Sequence, residues 1–229
     1  MFVTAPMLLS PLTALVCALV LSLGSVTDTS RNALPPPGPR FVRPEGALLA
    51  DDFQKGVLVG WTADREGVWT VRRGMLRAEL PDERQLHSIL YAGDSTWTNY
   101  ALDFDVCAIR GVDKGAVVRL RGSRGLGFDL RGPGYQDVRL HLNELPIGKA
   151  NVDNGNGVWH HVRCEVSGAH CRLLVNGAEV INRRVPLRIP PTGRIALAAY
   201  TGGVGQCTVY YDNIVVTALT DAESAQRGQ

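Results

Sequence analysis

Lysine is almost absent from this sequence. Of the 24 basic residues in the 229-residue chain, only Lys55, Lys114 and Lys149 are lysines. The preference for arginine over lysine is explained either by a GC-rich coding bias or by the use of planar guanidinium groups to recognise carboxylates or sulfates. The formal net charge is only +2, so no global field draws the chain to nucleic acid or to anionic lipid. We therefore expect no nucleic-acid partner.

Several motifs of catalysis and metal binding are also missing. The sequence has no Gly-x-Ser-x-Gly elbow, no phosphate loop opening a helix and no Cys-x-x-Cys pair. His160 and His161 are adjacent in a predicted strand, so their side chains point to opposite faces and cannot share one ion. The stretch "NVDNGNG", residues 151–157, offers oxygens suited to calcium, but an ordinary Asx-rich turn is favoured. We predict no metal ligands, no cofactor and no catalytic residues.

Sustained helical periodicity is absent as well. Short segments alternate between apolar and polar residues, and Gly or Pro bounds each of them. In "YALDFDVCAI", Leu102 and Phe104 fall on one face and Asp103 and Asp105 on the other. Many strands with one polar face indicate two antiparallel sheets packed face to face. The sequence predicts an all-β domain over residues 47–219.

The first charged residue is Asp28, and the stretch before it is apolar from Leu12 to Gly24. Residues 1–27 are predicted to form one hydrophobic helix, either a cleaved signal peptide or a membrane anchor. Both alternatives imply an extracytoplasmic protein, secreted or tethered to a membrane by this segment. Residues 28–46 read as a Pro-rich linker and residues 220–229 as a flexible tail.

Four cysteines follow this N-terminal stretch: Cys107, Cys164, Cys171 and Cys207. Their even number permits two disulfides, and four buried thiols are the alternative. A two-residue turn at Ser167-Gly168 would place Cys164 opposite Cys171, on the same face of a hairpin. We expect these two side chains to be near neighbours.

Four stretches resemble known families. "WHHVRCEVSGAHCRLLVNG" resembles the Trp-His-x-Val strand and turns of laminin-G-like and concanavalin A-like jelly rolls. "DDFQKG…GW…GVWTVRRGMLRAE" and "STWTNYALDFDV…GAVVRLRG" resemble the 3-keto-disaccharide hydrolase family, and "VYYDNIVVTAL" resembles the last strand of that superfamily. The resemblance covers Asp51 to Leu219. It implies a jelly-roll sandwich with sugar-related ligands, and that fold carries lectins, adhesion modules and hydrolases alike.

The chain departs from the catalytic patterns of these relatives. "KGAVVRLRG" lacks the Asn and Ser of the family's usual "gNSGi..R" strand. The Glu-x-Asp-x-x-Glu strand of retaining glucanases on this fold, with its paired carboxylates, is also absent. Asp103 and Asp105 are the nearest substitute, and we expect them to be solvated. The sequence therefore favours a non-catalytic module. If the protein is an enzyme, the resemblance implies a glycoside hydrolase.

The middle strands supply the candidate ligand site. Alternation predicts that six polar side chains line one face of a sheet: Arg119, Arg121, Asp129, Arg131, Arg139 and His141. Arginines could clamp acidic sugars in pairs, and Trp61, Trp97, Tyr91 or Tyr135 could stack on a sugar ring, whereas Trp69 and Trp159 are expected in the core. A charge-paired, solvated face is the alternative.

The expected function is binding of a glycan or a surface protein, without catalysis. The alternatives are a glycoside-processing hydrolase of the keto-disaccharide type and a structural accessory subunit of a membrane complex. An acidic pair across the site would favour the enzyme, and an exposed apolar patch would favour the subunit.

Overall fold

The computed structural model describes residues 29–36, 38–143, 145–186 and 188–220. Within these residues the chain forms two antiparallel sheets and no α-helix. The predicted all-β, two-sheet sandwich is therefore confirmed. The hydrophobic helix expected over residues 1–27 and the tail at 221–229 lie outside the described residues. In the ranges given above, no helix is long and apolar enough to cross a bilayer.

In the part of the chain that the structure describes, the fold consists of fifteen strands and two short 3-10 helices. The strands are β1 Leu49–Asp51, β2 Trp61–Ala63, β3 Trp69–Arg72, β4 Met75–Glu79, β5 His87–Ala92, β6 Tyr100–Gly111, β7 Asp113–Arg121, β8 Arg124–Arg131, β9 Asp137–Leu142, β10 Leu145–Asn151, β11 His160–Ser167, β12 His170–Val175, β13 Ala178–Arg184, β14 Arg194–Tyr200 and β15 Cys207–Ala218. The 3-10 helices are Thr29–Asn32 and Gly202–Val204. One sheet has eight strands in the order β13-β12-β11-β6-β15-β4-β3, with β1 on β15; the other has seven, β10-β9-β8-β7-β14-β5-β2.

The core lies between the two sheets, where the apolar face of each strand is buried. Leu102 and Phe104 of β6 are fully buried, as the alternation predicts. Phe104 stacks on Phe128 of β8 with the ring centroids 6.1 Å apart, which joins the two sheets. Each large apolar side chain buried in this way contributes roughly 1.5–3 kcal/mol to the free energy of unfolding.

One buried hydroxyl connects the two sheets. Tyr211 on β15 donates its hydroxyl proton to a backbone carbonyl of the seven-stranded sheet, with the Ala198 oxygen at 2.6 Å and the Gly115 oxygen at 2.9 Å. The same hydroxyl accepts a hydrogen bond from the Gly115 N–H at 3.0 Å. Position 115 must be glycine, because a Cβ there would lie 2.0 Å from the carbonyl oxygen of Phe128.

A β-bulge at the end of β7 reverses the predicted faces of two residues. The pairing with β8 shifts between Val118 and Arg121, and Arg119 has a φ of +51°. Arg119 therefore points away from the polar face and is only 3% exposed. Leu120 lies on the outer face, although strict alternation would put it in the core. Placing Arg119 on the polar face was wrong, because an extra residue in a strand interrupts strict alternation.

The hairpin of β11 and β12 has a different register from the predicted one. Ser167 pairs with His170, so the two-residue turn is Gly168-Ala169, with Gly168 at a φ of +52°. Glycine is favoured at the first central position of a type II′ hairpin turn, which explains the one-residue shift.

Cys164 and Cys171 are diagonal neighbours as a result of this shift. Cys164 pairs with Leu173 and Cys171 with Val166. Their sulfur atoms are nevertheless 3.9 Å apart, and both side chains are buried on the core face. The expectation that they are neighbours on one face is confirmed. All four cysteines after the N-terminal stretch are free and buried.

The segment interpreted as a linker lies along the outer face of the eight-stranded sheet. Arg31 forms an ion pair with Glu79 of β4 at 2.6 Å. Further along, the indole of Trp159 donates to the Pro36 carbonyl at 2.6 Å. Thus Trp159, expected in the core, holds this segment from outside. The residues here are anchored by side-chain contacts rather than spaced away from the domain, while the exact domain boundaries stay a prediction.

Candidate ligand-binding groove

A groove crosses the outer face of the seven-stranded sheet. It consists of two adjoining depressions with volumes of about 390 and 370 Å³. Both are lined by His87 and Ile89 of β5, Val117 of β7 and His141 of β9. The groove therefore runs across the centre of the sheet, over strands that are not consecutive in the sequence.

The floor of the groove is apolar and made of small residues. Ile89, Val117 and Ala198 line it. A Cβ at Gly127 would lie 2.4 Å from a carbon of the His141 ring, so glycine at this position leaves the space that the imidazole occupies. A hollow with an apolar floor and few polar walls is the usual form of a small-molecule site.

One wall carries a carboxylate shared by two nitrogen-bearing side chains. Asp129 Oδ2 lies 3.2 Å from Arg139 Nη2 and 3.2 Å from His141 Nε2. Burial alone would raise the pKa of Asp129, but hydrogen bonds and charge from His141 and Arg139 outweigh it and lower the pKa. Asp129 is therefore ionised at neutral pH, and its side chain is still 16% exposed.

Beyond this wall a second ion-pair group closes one end of the face. Arg131 binds both oxygens of Asp137 at 2.8 Å, and Lys149 lies 2.9 Å from the same carboxylate. Burial opposes ionisation of Asp137, but the hydrogen bonds from Arg131 and Lys149 prevail and lower its pKa. The Arg131 guanidinium also lies 4.4 Å from the centroid of the exposed Tyr135 ring.

The opposite wall is aromatic. Tyr91 lines the groove, and Arg194 stacks on its ring at 4.4 Å from the centroid. Burial, and next the charge of Asp64, raise the pKa of Tyr91, so its hydroxyl stays protonated and can donate. Tyr200 lines the second depression and donates its hydroxyl to Gln85. Both aromatic rings thus present an apolar face and a polar tip.

Residues 52–217 match the family described as the 3-keto-alpha-glucoside-1,2-lyase-like domain. The chain belongs to this family. The resemblance inferred from the sequence motifs is thereby confirmed. A search of curated proteins finds no match to the chain.

Solved structures with the same fold share little sequence with this family member. Carbohydrate binding module CBM66 from Bacillus subtilis superposes with a TM-score of 0.60 at 14% identity, over 69% of this chain and 96% of that one. A putative glycosyl hydrolase from Parabacteroides distasonis gives 0.53 at 18% identity, over 74% and 98%. The exoplasmic/lumenal domain of VIP36, bound to Ca²⁺ and Man3GlcNAc, gives 0.59 at 12%, over 75% and 88%. At these identities the likeness shows the fold alone.

Two of the six predicted site residues, Asp129 and His141, line the groove of this lyase-like domain, and Arg139 adjoins it through its ion pair with Asp129. Arg131 lies on the same face, at the end held by Asp137. Arg121 is exposed at the other end of β7 and donates to Thr192 at 3.2 Å. Arg119 is not on the face; its guanidinium donates to the backbone carbonyls of Thr98 and Gly168.

The four aromatic residues that were predicted to stack on a sugar ring lie in different parts of the structure. Tyr91 lines the groove, and Tyr135 lies at the Arg131 end. Trp61 is a core residue beside Phe53, with the rings 5.9 Å apart, and Trp97 packs on Tyr100. Trp69 is in the core, as expected.

Apart from Tyr91, sequence reasoning missed the half of the groove contributed by β5 and β14. In "HSILYA", His87, Ile89 and Tyr91 alternate and share a face, which is a usable signal. The pairing of β5 with β14, and of β14 with β7, joins segments over 100 residues apart in the chain, from Tyr91 to Ala196. No local pattern predicts such a pairing.

The "NVDNGNG" stretch is stabilised by hydrogen bonds within the protein. The ammonium of Lys114 donates to the Asn154 carbonyl at 2.6 Å, and the Asn154 amide donates to the Asp137 carbonyl at 2.9 Å. A buried positive charge at this point opposes a divalent cation. Among the described residues no group of three or more His, Cys, Asp or Glu side chains is placed to hold a metal.

Proposed function

We propose that this domain binds carbohydrate in the groove and acts as a non-catalytic module. The observation that carries the proposal is the groove itself: an apolar floor at Ile89 and Val117 between the Asp129–His141 pair and the Tyr91 ring. Sugars have apolar ring faces and polar edges, and such a groove complements both. Two neighbours in fold, a carbohydrate binding module and a sugar-bound lumenal domain, support this choice.

The ligand class we propose is an acidic glycan. Arg139 and His141 lie beside Asp129 on one wall, and Arg194 lies over Tyr91 on the other wall. Guanidinium groups bind carboxylates and sulfates through two parallel hydrogen bonds. A uronate or a sulfated sugar would thus be preferred to its neutral counterpart.

Titration calorimetry with uronate-containing and neutral oligosaccharides tests this function. Arg139→Ala should weaken uronate binding by about ten- to a hundredfold, since hydrogen bonds to charged groups contribute about 1.5–3 kcal/mol. Arg188→Ala, at an exposed position outside the groove, is the matched control and should bind as the wild type does. Equal binding of both sugars by all three proteins would contradict the proposal.

A second candidate is a glycoside-processing enzyme of the keto-sugar type, favoured by the family match over residues 52–217. A carboxylate held 3.2 Å from an imidazole can act as a general acid–base pair. Cleavage by elimination requires a base that removes the proton next to the ketone. Incubation with 3-keto-glucosides separates the two functions: turnover that Asp129→Asn abolishes establishes the enzyme, and saturable binding without turnover supports the module.

The proposal includes an extracytoplasmic location, secreted or tethered by the N-terminal segment. Its basis is the uncharged run that ends before Asp28, whose structure lies outside the described residues. Fractionation of cells producing the full chain, with and without residues 1–27, tests it. Retention of the full chain in the cytoplasm would contradict export.

A further inference from the structure

A larger cavity, of about 620 Å³, lies on the opposite side of the molecule from the groove. Its floor is the outer face of the eight-stranded sheet, where β6, β11 and β15 run side by side. Its roof is the chain from Pro39 to Pro44, which passes above these strands. We call this space the roofed pocket; its polar floor comprises Asp103, Asp105, His161, Arg163 and Asn213.

The floor is a network of side chains with fixed positions. Asp105 accepts hydrogen bonds from His161 Nδ1 at 2.9 Å and from the Asn213 amide at 2.6 Å. Only 4% of the Asp105 side chain is exposed. Arg163 binds Asp103 of the neighbouring strand, and His161 Nε2 lies 3.5 Å from the same carboxylate. The Asn213 amide also donates to the Pro39 carbonyl at 3.0 Å, which ties the roof to the floor.

The charges of this floor neutralise one another. The hydrogen bonds that His161 donates to Asp103 and then to Asp105 raise the pKa of His161 to about 9, so the imidazole is cationic at neutral pH. On the floor the cations His161 and Arg163 therefore face the carboxylates of Asp103 and Asp105, and Arg163 also binds Glu165. The exposed Arg40 lies on the roof, away from these ion pairs. An ionic ligand would have to displace one of these partners and would lose its own hydration, which is costly. An uncharged ligand requires no such displacement, because a carboxylate has several lone pairs and can accept a sugar hydroxyl while it keeps its cationic partner.

The roof supplies the apolar half of the pocket. Phe41 is half-buried and lines the cavity, and Val215 faces it from β15. The rings of Pro39 and Pro44 complete this surface. A ligand that fits has one apolar face and a rim of hydroxyl groups. The volume lies within the range of sites that hold ligands of the size of one or two sugar rings.

We propose that the roofed pocket is a second saccharide site, which takes a neutral pyranose through Asp103, His161 and Phe41. The acidic sugar proposed for the groove contacts none of these residues. The argument for the pocket rests on its own geometry and holds whether or not the groove binds a glycan. The two sites together would give the domain two ligands of different charge on opposite faces.

NMR titration of the full 229-residue chain with methyl β-glucopyranoside and with sodium glucuronate tests the proposal. The neutral sugar should shift the signals of Phe41 and His161 saturably, and glucuronate at the same concentration should not. The signals of Ile89 and His141 report on the groove separately, so failure at one site is distinguishable from failure at the other.

Two variants check the assignment. Phe41→Ala and Asp103→Asn should each weaken binding of the neutral sugar by about tenfold or more. The first variant removes the apolar contact with the sugar ring, and the second removes the carboxylate that accepts its hydroxyl groups. Val59→Ala, at a position that is 71% exposed and outside the pocket, is the control. The proposal is overturned if the neutral sugar leaves Phe41 and His161 unshifted, if glucuronate binds there equally well, or if both variants retain wild-type affinity.

Discussion

The hydroxyl of Tyr211, on the eight-stranded sheet, lies 2.6 Å from the backbone oxygen of Ala198, on the seven-stranded sheet. Ala198 pairs with Gly115 across β14 and β7, and the same hydroxyl accepts the Gly115 N–H. Ala198 also lines the floor of the groove. The depth of the groove is thus fixed from the other sheet, through the core.

Tyr211→Phe removes this connection and keeps the ring. The Gly115 N–H loses its side-chain acceptor in a fully buried place, so the free energy of unfolding should fall by about 1–3 kcal/mol. Urea denaturation followed by tryptophan fluorescence measures the change. Tyr135→Phe, at a position that is 56% exposed, should be neutral, and equal midpoints for both variants would contradict the role of the Tyr211 hydroxyl.

Arg119→Ala should cost stability without affecting sugar binding. The backbone carbonyls of Thr98 and Gly168 would lose charged donors, so we expect a loss of roughly 1.5–3 kcal/mol in the free energy of unfolding. Arg121→Ala, two residues away and exposed, should cost less than about 0.5 kcal/mol. If the two variants have the same thermal midpoint, the bulge does not place Arg119 as described.

Asp212→Asn should stabilise the protein above pH 7. Burial, and then the charges of Asp105, Asp52 and Asp51, raise the pKa of Asp212 to about 7. The folded chain therefore binds a proton that the unfolded chain has already released, and stability is lost as the pH rises from about 4 to about 7. The Asp212→Asn side chain cannot ionise, so the variant does not lose stability in this way as the pH rises.

The expected gain for Asp212→Asn at pH 8 is about 1–2 kcal/mol, since each pKa unit corresponds to about 1.4 kcal/mol and partial exposure to solvent reduces the effect. Denaturation at pH 4 and pH 8 measures it. The gain should fall to about 0.5 kcal/mol or less at pH 4, where the folded wild type is protonated at Asp212 and the unfolded wild type is about half protonated. Asp153→Asn, at an exposed position, is the control and should show no such pH dependence.

His161→Gln should destabilise the protein in acid but not in base. Because the folded pKa of about 9 exceeds the ordinary value, the imidazolium contributes stability fully below about pH 6.5, and this contribution is lost as the pH rises to about 9. The side chain is 49% exposed, so we expect about 1 kcal/mol at most. Thermal midpoints of both proteins at pH 6 and pH 10 test this, and a constant difference across that range would be the contrary result.

The alternation of apolar and polar residues correctly predicted which side chains of a single regular strand point into the core and which point outward. The faces of β6 follow it, with Phe104 inward and Asp103 outward, as do Asp129 on β8 and His141 on β9. It failed where the backbone departs from a regular strand. The bulge at Arg119, with its positive φ, adds one residue to β7 and exchanges the faces of Arg119 and Leu120. The glycine-led turn at Gly168 moves the turn by one residue and the strand pairing by two, so the faces of β11 and β12 are kept. The groove depends on the pairing of β5, β14 and β7, which long-range packing decides.

The contacts of the N-terminal segment also determine how the domain is presented. From Arg31 to Pro39 the chain is fastened to the eight-stranded sheet by ion pairs and hydrogen bonds, while the groove opens on the seven-stranded sheet. The chain at Arg31 therefore lies on the side of the domain opposite the groove. The groove and the roofed pocket thus open on opposite faces of the domain, and the N-terminal segment lies on the same face as the roofed pocket.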